Sequence, residues 1–236
     1  MNQTEMSPIE LGMQAYSRGE YETAMATLRP LAERGNAEAQ AWVASLYANG
    51  EGVDASQPEA MRWFRMAAEQ GHIMSQNNLA VMLYEGRVDT ADPGAAADWF
   101  RKAAERGDPY SACNLGLMYS DGLGVDADHE QAARWYLQAA SQGHPAAQAK
   151  LGYLFSVGRG VPRDRVWAFA WLQLASKHGI GSALQELERV VGEMSSDEKQ
   201  LGQSYIEQIS GAKVEELVGS LSEPLSKDTS DPPSEN

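Results

Sequence analysis

The sequence predicts an all-α protein, a right-handed α-solenoid of 36-residue helix-turn-helix repeats. Three observations carry this. Four of the six tryptophans, Trp63, Trp99, Trp135 and Trp171, stand 36 residues apart. Two glycine series keep the same interval: Gly50, Gly86, Gly122 and Gly158, and Gly71, Gly107, Gly143 and Gly179. Between them apolar residues recur at helical spacing, as in Leu79, Met82 and Leu83 or Leu115, Met118 and Tyr119. Cutting after the second series gives units 36–71, 72–107, 108–143 and 144–179 without insertion, the mark of a repeat architecture.

The elements follow in order. Residues 1–8 read as an N-terminal extension and 9–35 as a shorter first unit, with Ala15-Tyr16, Gly19-Glu20-Tyr21 and Leu31-Ala32 but no tryptophan or long loop. Each later unit opens with a helix A. Asn36 and Asp108 can cap it, and Pro109 and Pro145 suit its first turn. It ends at the first glycine series, where a left-handed residue is least costly as glycine. After a short loop, helix B is capped by Ser56, Asp92, Asp128 or Asp164, and Ser56 with Glu59 predicts a capping box. The unit 72–107 reads Gly86-Arg87-Val88-Asp89, without the second glycine found at Gly52, Gly124 and Gly160, so its loop is expected to take another path.

Small residues fix the packing. Ala60, Ala96, Ala132 and Ala168 share one offset, Ala67, Ala103, Ala139 and Ala175 another, and Ala44, Ala80, Gly116 and Gly152 a third. They let helices approach, while the tryptophans and Phe64, Phe100 and Tyr136 fill wider gaps. One helix pair cannot bury its apolar faces alone, so neighbours must stack. After Gly179 the period fails, and 180–221 read as C-terminal capping helices. Leu184, Leu187, Val190, Val191 and Met194 form one apolar stripe; Ser195 with Glu198 predicts a capping box opening a helix with Leu201, Tyr205, Ile206 and Ile209. The apolar Val166, Trp167, Phe169, Leu172 and Leu174 suit contact with that cap. The acidic, Pro- and Ser-rich residues 222–236 are expected to be disordered.

The units share the pattern A-x-x-L-(G/A)-x-x-Y-x-x-G-x-G-V followed by W-(F/Y)-x-x-A-A-x-x-G, for example Leu115-Gly116, Tyr119, Gly122-Leu123-Gly124-Val125 and Trp135-Tyr136. This resembles the Sel-1-like repeat family, a relative of the tetratricopeptide repeats, over 36–179. The resemblance implies a scaffold or adaptor for protein partners. Cysteine-rich members linked to β-lactam binding or hydrolysis suggest a hydrolase as the alternative, but their paired cysteines are absent: Cys113 is the only one.

Composition narrows the function classes. The net charge is −14, and residues 181–236 hold 12 acidic against 4 basic residues, while 36–179 are nearly balanced. No basic stripe would neutralise phosphates, which argues against nucleic-acid binding. No signal peptide or membrane-spanning stretch is visible, so a cytoplasmic monomer without membrane attachment is expected. His72, His129, His144 and His178 show no metal-ligand spacing and no strand precedes a Gly-rich loop, so neither metal, cofactor nor catalytic residue is called.

The surface remains. The first 13 residues of the four units hold only three charges, Glu38, Asp108 and Lys150, while the second helices are charged. By analogy with tetratricopeptide repeats, helix A lines a concave side. The analogy implies a partner-binding face of Met74, Asn77, Asn78, Val81, Tyr84, Tyr110, Asn114, Leu117 and Tyr153. Asn78 and Asn114 match a position that in relatives can hydrogen-bond a peptide backbone. Val81, Leu117 and Tyr153 would form an apolar stripe for a peptide or helix. On this reading affinity depends only mildly on salt.

Overall fold

The computed structural model describes residues 6–211, and among these every regular element is a helix. The expectations for 212–221 and for the 222–236 tail lie outside the described residues. The chain divides into two compact units, Met1–Ala127 and Asp128–Asn236. The first holds α1 (Pro8–Ser17), α2 (Tyr21–Glu33), α3 (Ala37–Asn49), α4 (Gln57–Glu69), α5 (Ile73–Glu85), α6 (Pro93–Ala104) and α7 (Pro109–Asp121). The second holds α8 (His129–Ser141), α9 (Pro145–Val157), α10 (Arg165–Ser176), α11 (Gly181–Glu193) and α12 (Ser196–Gly211). Helices α3, α5, α7 and α9 are the helices A of the repeats, and α4, α6, α8 and α10 the helices B.

Capping follows the sequence closely, with two differences. Asn36 and Asp108 accept from the backbone N–H of Ala39 and Ser111. The same position in the other two repeats is histidine, and His72 and His144 cap through Nδ1, accepting from Ser75 and Ala147. Ser56 accepts from the Glu59 N–H, but the reciprocal half of the expected capping box is missing. The Glu59 carboxylate pairs with Arg62 one turn on, and that ion pair competes for it. A full box forms at Ser195–Glu198, as its spacing predicts, and another at Ser7–Glu10.

Gly50, Gly86, Gly122 and Gly158 all close helix A in the left-handed conformation. The second glycine has a different reason. A Cβ on Gly52, Gly124 or Gly160 would overlap the backbone at Tyr21, Pro93 or His129, the start of the second helix of the preceding unit. These loops therefore lie directly on the previous repeat. In 72–107 the corresponding Val88 keeps negative φ and packs its side chain against the core instead, so the loop does take another path.

The alanine series 60, 96, 132, 168 and 67, 103, 139, 175 are fully buried, and Gly152 faces Leu172 where a Cβ would not fit. Gly12, buried against Leu28, plays the same part in the first helix pair. The tryptophans are less uniform than their spacing suggests: Trp63 and Trp171 are buried, but Trp99 and Trp135 are half-buried, and Lys102 lies 4.0 Å over the Trp99 ring. A glutamine series went unread in the sequence. Gln40, Gln76 and Gln148 each donate at 3.1 Å to a carbonyl at the end of the preceding unit's second helix (Ala32, Ala68 and Ala140), tying one unit to the next.

In the second unit, α11 and α12 pack on α10. Trp167 meets Tyr205 with ring centroids 4.3 Å apart, and Gly202 leaves room for Phe169. Ala183, Val190, Met194, Ile206 and Ile209 are buried, but Leu184 and Leu201, expected in the apolar stripes, are about half exposed.

Candidate partner-binding site

Helices A present to solvent the residues that their buried stripe leaves over. Along α5, Ser75, Gln76, Leu79, Ala80 and Met82 turn inward, and along α7, Ser111, Ala112, Leu115, Gly116 and Met118 do the same. Val81, Tyr84, Asn114 and Leu117 then stand half-buried between the two helices. With Glu85, Phe100 and Met118 they line a pocket of about 150 Å³. Phe100 of α6 and Met118 are almost completely buried and make its floor; Glu85 is exposed and belongs to its rim. An apolar cavity near this size can hold a benzene-sized group, so one aliphatic or aromatic side chain would fit.

The pocket gathers four of the nine candidate residues. Met74 and Tyr110, at equivalent places in the first turns of α5 and α7, are the most exposed large apolar residues among those described, at 68% and 63%, and are not part of it. Asn77 accepts a hydrogen bond from the Ser111 hydroxyl at 3.1 Å, so it serves the joint between repeats. Asn78 is half-buried outside the pocket lining.

Tyr153 belongs to the second unit and a different environment. With Val157, Ser156, Arg163, Glu186 and Arg189 it lines an open pocket of about 420 Å³ between α9 and α11. Here the charges are paired. Arg163 donates to the Ser156 carbonyl and to Glu193, and Arg189 to both Glu186 and Glu193. The hydrogen bond from Arg189 holds the Glu186 carboxyl below the ordinary range, burial opposes the shift, and the Ser156 hydroxyl assists it.

Sequence reasoning missed Glu85, Phe100 and Met118 as pocket residues. Glu85 is the fourteenth residue of its unit, one beyond the weakly charged stretch, and Asp121 holds the same place one repeat on. Phe100 reads as a gap filler because it is one: its outer face is the pocket floor. Among the described residues no group of three or more His, Cys, Asp or Glu side chains could hold a metal ion, and no helix is long and apolar enough to cross a membrane. Cys113 is half-buried on α7.

Helix pairs repeated every 36 residues, with pockets beside their first helices, define a helical repeat protein. The family model of the Sel1 repeat matches residues 37–72, 73–108, 109–144 and 145–180, and the chain belongs to that family. Solved structures similar to this chain include the following two. One is c5321, a protective antigen present in uropathogenic Escherichia coli strains displaying an SLR fold, with 30% identity over 95% of this chain and 50% of that chain and a TM-score of 0.77. This chain thus spans about half of that antigen's length. The other is a Sel1 repeat protein from Oxalobacter formigenes, with 31% identity over 75% of this chain and 72% of that one and a TM-score of 0.70. No curated protein matches.

Proposed function

We propose that the chain is a non-catalytic scaffold or adaptor that binds a protein or peptide partner through the outward face of its helices A. The observation that carries this is the Val81–Leu117 pocket: residues at one repeat offset, on adjacent helices, flank a preformed apolar depression over Phe100. Sel1 repeats generally mediate protein interactions, which supports the reading. An apolar partner side chain enters the pocket, and the Asn114 amide beside it hydrogen-bonds the partner backbone. Nothing favours the hydrolase alternative, and a nitrocefin assay is expected to show no turnover.

The test is peptide selection from a random display library against the full chain, followed by calorimetry on the best peptide. Leu117→Glu puts a charge into the pocket and is expected to weaken binding by well over about 1 kcal/mol. Asn114→Ala costs about 1 kcal/mol for one hydrogen bond. Arg65→Ala and Arg134→Ala, on helices B, remain near parent. With parent-like stability in all variants, normal binding by both pocket variants and loss in the helix B variants would place the site elsewhere.

A further inference from the structure

We infer that the first unit's pocket selects a basic partner segment, in which the apolar anchor is flanked by lysine or arginine. This rests on the preceding reading of the pocket as a docking site. The pocket lining contains one charged residue, Glu85, and no cation. Glu85 pairs with Arg87, two residues on, and both side chains are more than 40% exposed. Such an exposed pair is worth little and exchanges readily for a partner cation.

Glu85 is also the last residue of α5, and Asp121 is the last of α7. Each carboxylate therefore adds to the negative end of its own helix dipole. Two adjacent helices A thus carry a carboxylate at the same end, one repeat apart, while the pocket interior between Val81, Leu117 and Phe100 stays apolar. A charge on the anchor itself would be desolvated without a partner, so the cation belongs beside the anchor.

Three fluorescein-labelled dodecapeptides, identical around a central leucine but flanked by lysine, glutamine or glutamate, separate the possibilities by anisotropy with the full chain. The lysine peptide is expected to bind about five- to tenfold more tightly than the glutamine peptide, and the glutamate peptide more weakly than either. Raising salt from about 0.1 to about 0.5 M should shrink the lysine advantage. The double variant Glu85→Gln/Asp121→Asn should bring the lysine and glutamine peptides within about twofold of each other. A lysine advantage that survives this variant reflects net charge rather than the pocket and overturns the inference. Equal binding of lysine and glutamine peptides, abolished by Leu117→Glu, overturns this inference alone. No binding by any peptide overturns the docking reading and this one with it.

Discussion

At one offset in successive helices A, Val81 and Leu117 flank a small apolar pocket over Phe100, whereas Tyr153 stands beside an ion-pair network of Arg163, Arg189, Glu186 and Glu193. The difference lies in the neighbour, not in the repeat. In the first unit α5 faces α7, another helix A with the same stripe of inward residues. In the second, α9 faces α11, a helix outside the repeat pattern whose polar side carries Glu186 and Arg189. A repeat fixes where a side chain points; the next element decides what it meets.

The largest effects test whether the two pockets also differ in what supports them. Phe100→Ala removes the floor of the first pocket and a side chain only 2% exposed, and should cost about 3–5 kcal/mol of stability. Tyr153→Ala, at 44% exposure, should move the denaturant midpoint by less than about 0.5 kcal/mol equivalent. Comparable losses would mean that Tyr153 is a packing residue and the second pocket is part of the core.

The tryptophan series gives the next effect. Trp171 in the second unit is 1% exposed, so Trp171→Ala should cost about 3–5 kcal/mol. Trp99 shares its offset but lies half-open under Lys102, so Trp99→Ala should cost nearer 2 kcal/mol, on the order of a partial burial loss. Equal midpoints for the two variants would show that repeat position outweighs local burial.

These contrasts mark how far the sequence is legible. Period 36, the glycine C-caps, the alanine series and the caps at Asp92, Asp128 and Asp164 all read directly, because each is imposed by backbone geometry that recurs in every repeat. The face bearing Val81, Tyr84, Asn114 and Leu117 reads by subtraction of the buried stripe. What does not read is anything set by a single neighbour. Glu59 fits a capping box by spacing, yet Arg62 takes its carboxylate. Tyr153 continues the Val81–Leu117 series by offset, yet α11, which has no counterpart in the period, furnishes its surroundings. The Gln40, Gln76 and Gln148 latches are periodic and could have been found; polar residues inside an apolar stripe are the signal, weakened because Ala112 interrupts the series.

The smallest effect concerns the charges themselves. Arg189, by its hydrogen bond, holds the folded Glu186 carboxyl below its ordinary value. A group whose folded value is depressed contributes stability that is fully present above the unfolded value and is lost as pH falls through the folded one. Arg189 is 42% exposed, so the pair is worth no more than about 0.5–1 kcal/mol near neutral pH. Glu186→Gln should therefore lower the urea midpoint slightly at neutral pH, and the parent and variant curves should converge as pH falls through the depressed folded value, where the parent carboxyl becomes protonated too. In the first pocket Glu85→Gln, within an exposed pair, should change neutral-pH stability by less than about 0.5 kcal/mol while still reducing binding of a lysine-flanked peptide. A Glu186→Gln difference that persists unchanged in acid would assign its cost to packing against Ser156 rather than to charge, and the contrast between an ion-paired and an apolar pocket would lose its electrostatic half.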